Sequence, residues 1–218
     1  MEIKSRSSIA LLLAVTLVAC AVTPAPNTAA ESVTQPTIPP KIAQDENSRQ
    51  FASLIEAANL GNLDAQFILA QSYEVGKGID KNIDKAFLWY GKAANAGHVP
   101  AQFFFGAMYA SSRGTPGDVP KAIHWYRKAA DKGYPDALYP VAYAYELGLG
   151  GLPKDDREAL VWYRKAADIG NPFAFQRLAK AYRFGELGLE VDEKQASIFE
   201  EKQKNSGQSL VSVPVVNQ

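Results

Sequence analysis

The chain has 218 residues, 47% hydrophobic and 21% charged, an ordinary globular balance with room for one medium domain or two small ones. Its 23 basic and 23 acidic residues cancel, so no global field draws nucleic acid or anionic lipid to it. One cysteine, Cys20, and two histidines, His98 and His124, exclude an intrachain disulfide framework, a multi-cysteine zinc site and a histidine-rich metal site.

The chain opens with an address. Lys4 and Arg6 form a basic start, and Ile9 to Ala19 is a run of apolar and small residues broken only by Thr16. Such a run has the length of a signal-peptide core and is too short to cross a hydrocarbon layer of about 30 Å. It ends Leu17-Val18-Ala19-Cys20, which resembles the bacterial lipoprotein box. The resemblance implies a signal peptide over residues 1–19, cleavage before Cys20 and lipidation of the Cys20 thiol. Three acyl chains make a stable anchor, since each buried methylene contributes about 0.8 kcal/mol. The alternative is an ordinary signal peptide with an incidental cysteine. Ala21, where an aspartate would mark inner-membrane retention, implies by similarity to enterobacterial sorting an outer-membrane lipoprotein, expected to face the periplasm.

A tether follows. Between Ala21 and Gln50 stand Pro24, Pro26, Pro36, Pro39 and Pro40, and no aromatic residue. Such a segment cannot bury enough apolar surface to offset its ordering entropy. Residues 20–46 are therefore expected to be a disordered, partly polyproline-like spacer, with an r.m.s. span on the order of 30 Å.

The rest is a repeat. Trp89, Trp125 and Trp162 are spaced 36 and 37 apart, and each is followed by a tyrosine: Tyr90, Tyr126 and Tyr163. Then come Lys92-Ala93-Ala94, Lys128-Ala129-Ala130 and Lys165-Ala166-Ala167, and after these Gly97, Gly133 and Gly170. Upstream, Ala65, Ala101, Ala137 and Ala174 keep the period, as do Tyr73, Tyr109, Tyr145 and Tyr182. A period of this length signals a stacked array of helix pairs, none of which buries its apolar face alone. The spacing puts Ala65, Leu69, Ala70 and Tyr73 on one face of a first helix, and Ala86, Trp89, Tyr90, Ala93 and Ala94 on one face of a second. Ala70, Gly106, Ala142 and Ala179 share one register position, where a small residue admits a neighbouring helix. The glycines suit the left-handed residue that ends a helix, and Pro135 and Pro172 suit the first turn of the next.

The pattern W-Y-x-K-A-A-x-x-G resembles the Sel1-like repeat, a relative of the tetratricopeptide repeat. The resemblance implies an all-α fold, a right-handed α-solenoid of antiparallel helix pairs. It covers about Phe51 to Gly207, and the solenoid is expected over residues 47–207: a leading half-repeat helix at 47–60, then repeats at about 62–97, 98–133, 134–170 and 171–207. The fourth repeat departs from the pattern, with Phe199 and Glu200 for Trp-Tyr and Gln203-Lys204 for the alanine pair. That is the polar last unit an open solenoid needs. The tail, residues 208–218, carries Val211, Val213, Val215 and Val216 and is expected either to lie extended on the last helix or to be disordered. Pro140 falls inside the first helix of repeat three, where it should cause a kink or a late helix start.

No residue constellation commits to catalysis: there is no H-E-x-x-H, G-x-S-x-G, Walker loop or dinucleotide fingerprint. No catalytic residue, metal or cofactor is expected. Gly148, Gly150 and Gly151 read as a turn between paired helices, and Asp155 and Asp156 as helix caps. Asp80, Asp84, Asp118 and Asp192 lie in equivalent loops without EF-hand spacing. His124 takes the position of Leu88 and Val161 and should be partly buried; His98 follows Gly97 in a turn and should be solvated.

By resemblance to tetratricopeptide repeats, the first helices line a concave groove that holds a partner segment. Carried over by register, that face receives Phe67, Gln71 and Glu74; then Phe103, Phe104 and Ala107; then Tyr139, Tyr143 and Glu146; and last Gln176, Arg177, Lys180 and Arg183. The middle is aromatic and the far end basic. The aromatics either anchor a partner or pack between repeats. The trio Arg177, Lys180 and Arg183 either seats a carboxylate or is a solvated face. The family resemblance implies a protein-protein interaction scaffold of the cell envelope, aiding assembly or regulation of an envelope machine. A glycan- or peptidoglycan-binding protein is the alternative, and a hydrolase using His98 or His124 a third. Oligomeric state is left open.

Overall fold

The repeat length is set by paired stop and start signals. The computed structural model describes residues 46–208, and among these it contains nine α-helices and no strand. The expected signal peptide, Cys20, the proline-rich tether up to residue 45 and all but the first residue of the tail lie outside the described residues, and Glu46, expected to end the tether, instead opens the first helix. A leading helix, α1 (Glu46–Asn59), precedes four pairs. The first helices are α2 (Leu63–Val75), α4 (Val99–Ala110), α6 (Pro135–Leu147) and α8 (Pro172–Phe184). The second helices are α3 (Ile83–Asn95), α5 (Val119–Asp131), α7 (Asp156–Asp168) and α9 (Glu193–Gln208). Dense packing joins only helices that follow one another in the chain, from α1 against α2 to α8 against α9. The fold is an α-solenoid.

Each second helix starts on a carboxylate or amide cap. Asn82, Asp118, Asp155 and Asp192 accept from the amides of Lys85, Lys121, Glu158 and Gln195 at 2.9–3.0 Å. The cap's own amide donates back to a tyrosine carbonyl of the first helix. These bonds are Asn82 to Tyr73 at 2.8 Å, Asp118 to Tyr109 at 3.2 Å, Asp155 to Tyr145 at 2.9 Å and Asp192 to Tyr182 at 2.8 Å. One residue thus closes the turn and opens the helix, and the backbone register is the same in all four repeats. The caps include Asp118, Asp155 and Asp192 but exclude Asp80 and Asp84. Gly97, Gly133 and Gly170 end the second helices at φ of +94°, +79° and +86°, where a side chain would be strained.

The tryptophans fill the interior. Trp89, Trp125 and Trp162 are 5%, 8% and 9% exposed, and the alanines around them, such as Ala86, Ala93 and Ala129, are sealed completely. The lysine of each motif lies over its tryptophan ring: Lys92 at 3.9 Å from the Trp89 centroid, Lys128 at 4.5 Å from Trp125 and Lys165 at 4.0 Å from Trp162. Ala70, Gly106, Ala142 and Ala179 are all buried. A Cβ on Gly106 would stand 3.1 Å from the Ala122 carbonyl oxygen and 3.1 Å from the Tyr126 ring, so the smallest side chain sits where α4 and α5 come closest.

Three expectations need correcting. Helix α6 begins at Pro135 with Pro140 inside it, so there is no late start. The missing Pro140 amide leaves the Asp136 carbonyl without its intrahelical donor, one turn into the helix. His124 is exposed rather than partly buried, as are Leu88 and Val161 at the same register. His98 is not a solvated turn residue: its side chain is 11% exposed. Its Nδ1 accepts from the Ala101 amide at 3.2 Å, capping α4, while Nε2 lies 3.0 Å from Asp64. The ring packs 4.9 Å from Phe67.

Candidate functional site: the first-helix face

The aromatic residues expected on this face divide in two. Phe67, Phe103 and Phe104 are half-buried and pack between repeats. Phe67 meets Tyr90 at 5.7 Å and Phe104 at 5.5 Å, while Phe103 meets Tyr126 at 5.4 Å and Tyr134 at 5.2 Å. Their edges join successive pairs, and Gln71 beside them is half-buried. Tyr139 is half-buried against Tyr163 at 5.5 Å, but it also leads outward. Tyr143 stacks on it at 6.5 Å and Phe173 tilts against it at 5.7 Å, and these two are 45% and 61% exposed. Tyr139 and Phe173 line an open depression of about 410 Å³ together with Gln176, Lys180, Phe184 and Gln203. Phe184, at its far side, is 63% exposed.

Phe173 and Phe184 join this face although the register of the first helices does not mark them. Phe173 occupies the register of Asp64, Pro100 and Asp136, so its signal was an aromatic at a position otherwise held by acids and proline.

The basic trio is neither free nor simply solvated. Arg177 donates twice to Glu146, from Nη2 at 2.6 Å and Nε at 3.0 Å, and its Nη1 lies 2.7 Å from Glu186. Its side chain is only 14% exposed. Arg183 donates to Glu200 at 2.6 Å and lies 3.4 Å from Glu193. Lys180 reaches Glu186 at 3.4 Å and is 59% exposed, which leaves it the most accessible cation of the three.

These pairs belong to a latch, found in repeats one and three, between the end of the first helix and the tyrosine of the second. In repeat one the Tyr90 hydroxyl donates to Glu74 at 2.6 Å, and Arg113 donates to the other oxygen at 2.7 Å. In repeat three Tyr163 donates to Glu146 at 2.7 Å, with Arg177 beyond it. In repeat four both residue types change, and Arg183 and Glu200 form an ion pair at the same register. Burial and then the hydrogen bonds to glutamate push the Tyr90 and Tyr163 phenols far above their usual values. Burial also raises the Glu146 carboxyl, but the hydrogen bonds from Arg177 and Tyr163 outweigh it and hold the group below its usual value. Repeat two has Ala110 in the glutamate's place.

Among the described residues no group of three or more His, Cys, Asp or Glu side chains could hold a metal ion. No described helix is long and apolar enough to cross a membrane.

An array of capped helix pairs with a partly exposed first-helix face belongs to the tetratricopeptide-like class of α-solenoids, whose surfaces generally serve protein-protein interaction. Within that class the family model "Sel1 repeat" matches residues 63–98, 99–134, 135–171 and 176–196, and the chain belongs to the Sel1-repeat family. The structure is similar to that of a Sel1 repeat protein from Oxalobacter formigenes, at 32% identity and a TM-score of 0.65, over 72% of this chain and 62% of that one. It also aligns with c5321, a protective antigen of uropathogenic Escherichia coli strains, at 25% identity and a TM-score of 0.47, over 76% and 43% of the two chains. A stretch of 53 residues is 45% identical to the chitin synthase regulator SKT5 of Saccharomyces cerevisiae, 24% of this chain and 8% of that protein. The chain thus spans less than two thirds of each of these relatives.

Proposed function

We propose that this protein is a membrane-anchored interaction scaffold of the bacterial cell envelope that docks a segment of a protein partner on its first-helix face and aids assembly or regulation of an envelope machine. The observation that carries the docking surface is the contiguous row Tyr143, Tyr139 and Phe173, which runs outward into the depression bounded by Phe184 and Lys180. Aromatic side chains are among the residues that anchor binding hot spots, and Lys180 stands at the rim of this one. The lipoprotein-like run ending at Cys20 supports the anchor, and the proline-rich spacer supports a solenoid held off the membrane. The fold and family support a non-catalytic role.

The test is crosslinking and pulldown from native membranes with a Tyr143→Ala, Phe173→Ala double mutant. Both side chains are exposed, so the solenoid should stay folded. Loss of a specific protein partner in the mutant supports the docking face. Identical partners in mutant and wild type move the interaction to another surface. Retention on isolated peptidoglycan with no protein partner replaces this reading with glycan binding.

A further inference from the structure

Repeat two lacks the latch that its neighbours have. Tyr126 is the counterpart of Tyr90 and Tyr163, and Ala110 stands where Glu74 and Glu146 stand. The backbone there is in register, because Asp118 donates to the Tyr109 carbonyl as the other caps do, and Ser112 takes φ of +54° where Gly76 takes +81°. The difference therefore lies in the side chains. Among the described residues the Tyr126 hydroxyl has no hydrogen-bond partner. Its phenol is raised by burial alone, without the carboxylate contribution seen in its two counterparts. Tyr126 is 9% exposed, whereas Tyr90 and Tyr163 are sealed at 0%. A phenol donor on a nearly buried side chain thus stands, by register, where its two counterparts meet a glutamate. Ala107, one turn before Ala110, keeps the same face bare, where repeats one, three and four carry Gln71, Tyr143 and Lys180.

The electrostatics of this notch differ from those of its neighbours too. Glu74 is balanced by Arg113 and Glu146 by Arg177. The repeat-two counterparts of those arginines are Leu149 and Pro140. Arg113 itself is committed to Glu74 at 2.7 Å. A carboxylate seated here would find one phenol donor and neither of the arginines that balance Glu74 and Glu146, an unfavourable exchange for its hydration shell. A neutral acceptor loses much less on leaving water.

We propose that the Ala107–Ala110–Tyr126 notch is a subsite for an uncharged, aliphatic segment of a partner protein, which accepts a hydrogen bond from Tyr126 through a main-chain carbonyl and fills the glutamate's place with an apolar side chain. This rests on the docking reading above and names the chemistry of the partner at one repeat. The chain's own substitution pattern supplies the test. Ala110→Glu restores the residue of repeats one and three and should close the notch from within.

The experiment pans phage-displayed random dodecapeptides on the immobilised full-length chain and measures the affinity of the enriched peptides for wild type, Ala110→Glu, Tyr126→Phe and Tyr143→Ala, Phe173→Ala. Thermal melts confirm that each variant is folded. The expected result is a set of uncharged aliphatic peptides whose affinity falls at least tenfold with Ala110→Glu and about tenfold with Tyr126→Phe, the worth of one well-made hydrogen bond. Enrichment of acidic peptides overturns the proposal, as does failure to enrich any peptide. Peptides that bind Ala110→Glu and Tyr126→Phe like wild type but are lost in the Tyr143→Ala, Phe173→Ala variant overturn the notch and leave the docking face standing. Failure of the docking face itself is read separately, in the membrane pulldown.

Discussion

The hydroxyl of Tyr163 donates to the Glu146 carboxylate at 2.7 Å, bridging the second helix of repeat three to the end of its first helix. The same carboxylate receives Arg177 from repeat four. One glutamate therefore ties together a helix pair and the joint to the next pair, which is where an array of neighbour-only contacts needs support.

Removing either partner should show this division of labour. Tyr163→Phe should cost about 1 kcal/mol, because Glu146 keeps its arginine. Arg177→Ala should cost more, about 2–3 kcal/mol, because it leaves Glu146 and Glu186 without their shared cation. Urea titration followed by tryptophan fluorescence measures both. A negligible loss for Arg177→Ala would mean that the joint between repeats three and four does not depend on this ion pair.

The latch also makes stability depend on pH. The Glu146 carboxyl lies below its ordinary value of 4.5 in the folded chain, and Arg183 holds Glu200 below the same value. A depressed carboxylate contributes stability that is fully present above the unfolded value and is lost as pH falls through the folded one. The thermal midpoint should therefore hold near neutrality and fall as pH drops below about 4.5. Glu146→Gln should start lower at pH 7 and fall less steeply on acidification. An unchanged acid limb in that variant would assign the acid sensitivity to other carboxylates.

Much of this architecture was legible in the sequence. The tryptophan, alanine-pair and glycine positions are buried or left-handed in the same register in the first three repeats, because such contacts recur every 36 or 37 residues and leave a period. What repeats only once leaves none. Arg177 meets Glu146 across 31 residues and Arg113 meets Glu74 across 39, so the two arginines hold different register positions and leave no period. His98 looked like a turn residue because it follows Gly97. Its role as the cap of α4 becomes readable only when it is aligned with Asn62 and Asn171, which cap α2 and α8. Pro140 looked like a helix breaker, yet it sits in α6, one of the helices packed firmly on both sides, and packing outweighed the single lost bond.

Trp125→Ala should empty a large site in the middle of the array and cost about 3–5 kcal/mol. Trp125 is 8% exposed and meets Phe105 at 5.3 Å. In a quasi-linear fold the loss should split thermal unfolding into two steps rather than lower one step uniformly. Calorimetry distinguishes these outcomes, and an unchanged melt would contradict the burial of this ring.

The loop between α6 and α7 offers a sharper comparison. Gly150 has φ of +64°, and a Cβ there would fall 2.6 Å from Ile123 Cγ1. Gly151 has φ of +82° and nothing within 4 Å. Gly151→Ala should cost only about 1 kcal/mol of backbone strain, and Gly150→Ala about 1–3 kcal/mol more as Ile123 is pushed aside. Denaturant midpoints of the two variants check the ordering.

The chain-order packing of the nine described helices has a mechanical meaning. Tension applied between the two ends of the solenoid would load its interfaces in series, each carrying the full force. Such an object would lengthen by releasing one helix pair at a time, with the least supported joint yielding first. The joint where α7 meets α8, the sparsest contact between consecutive helices, is where that extension would be expected to begin, with the Glu146–Arg177 pair as the bond that must give.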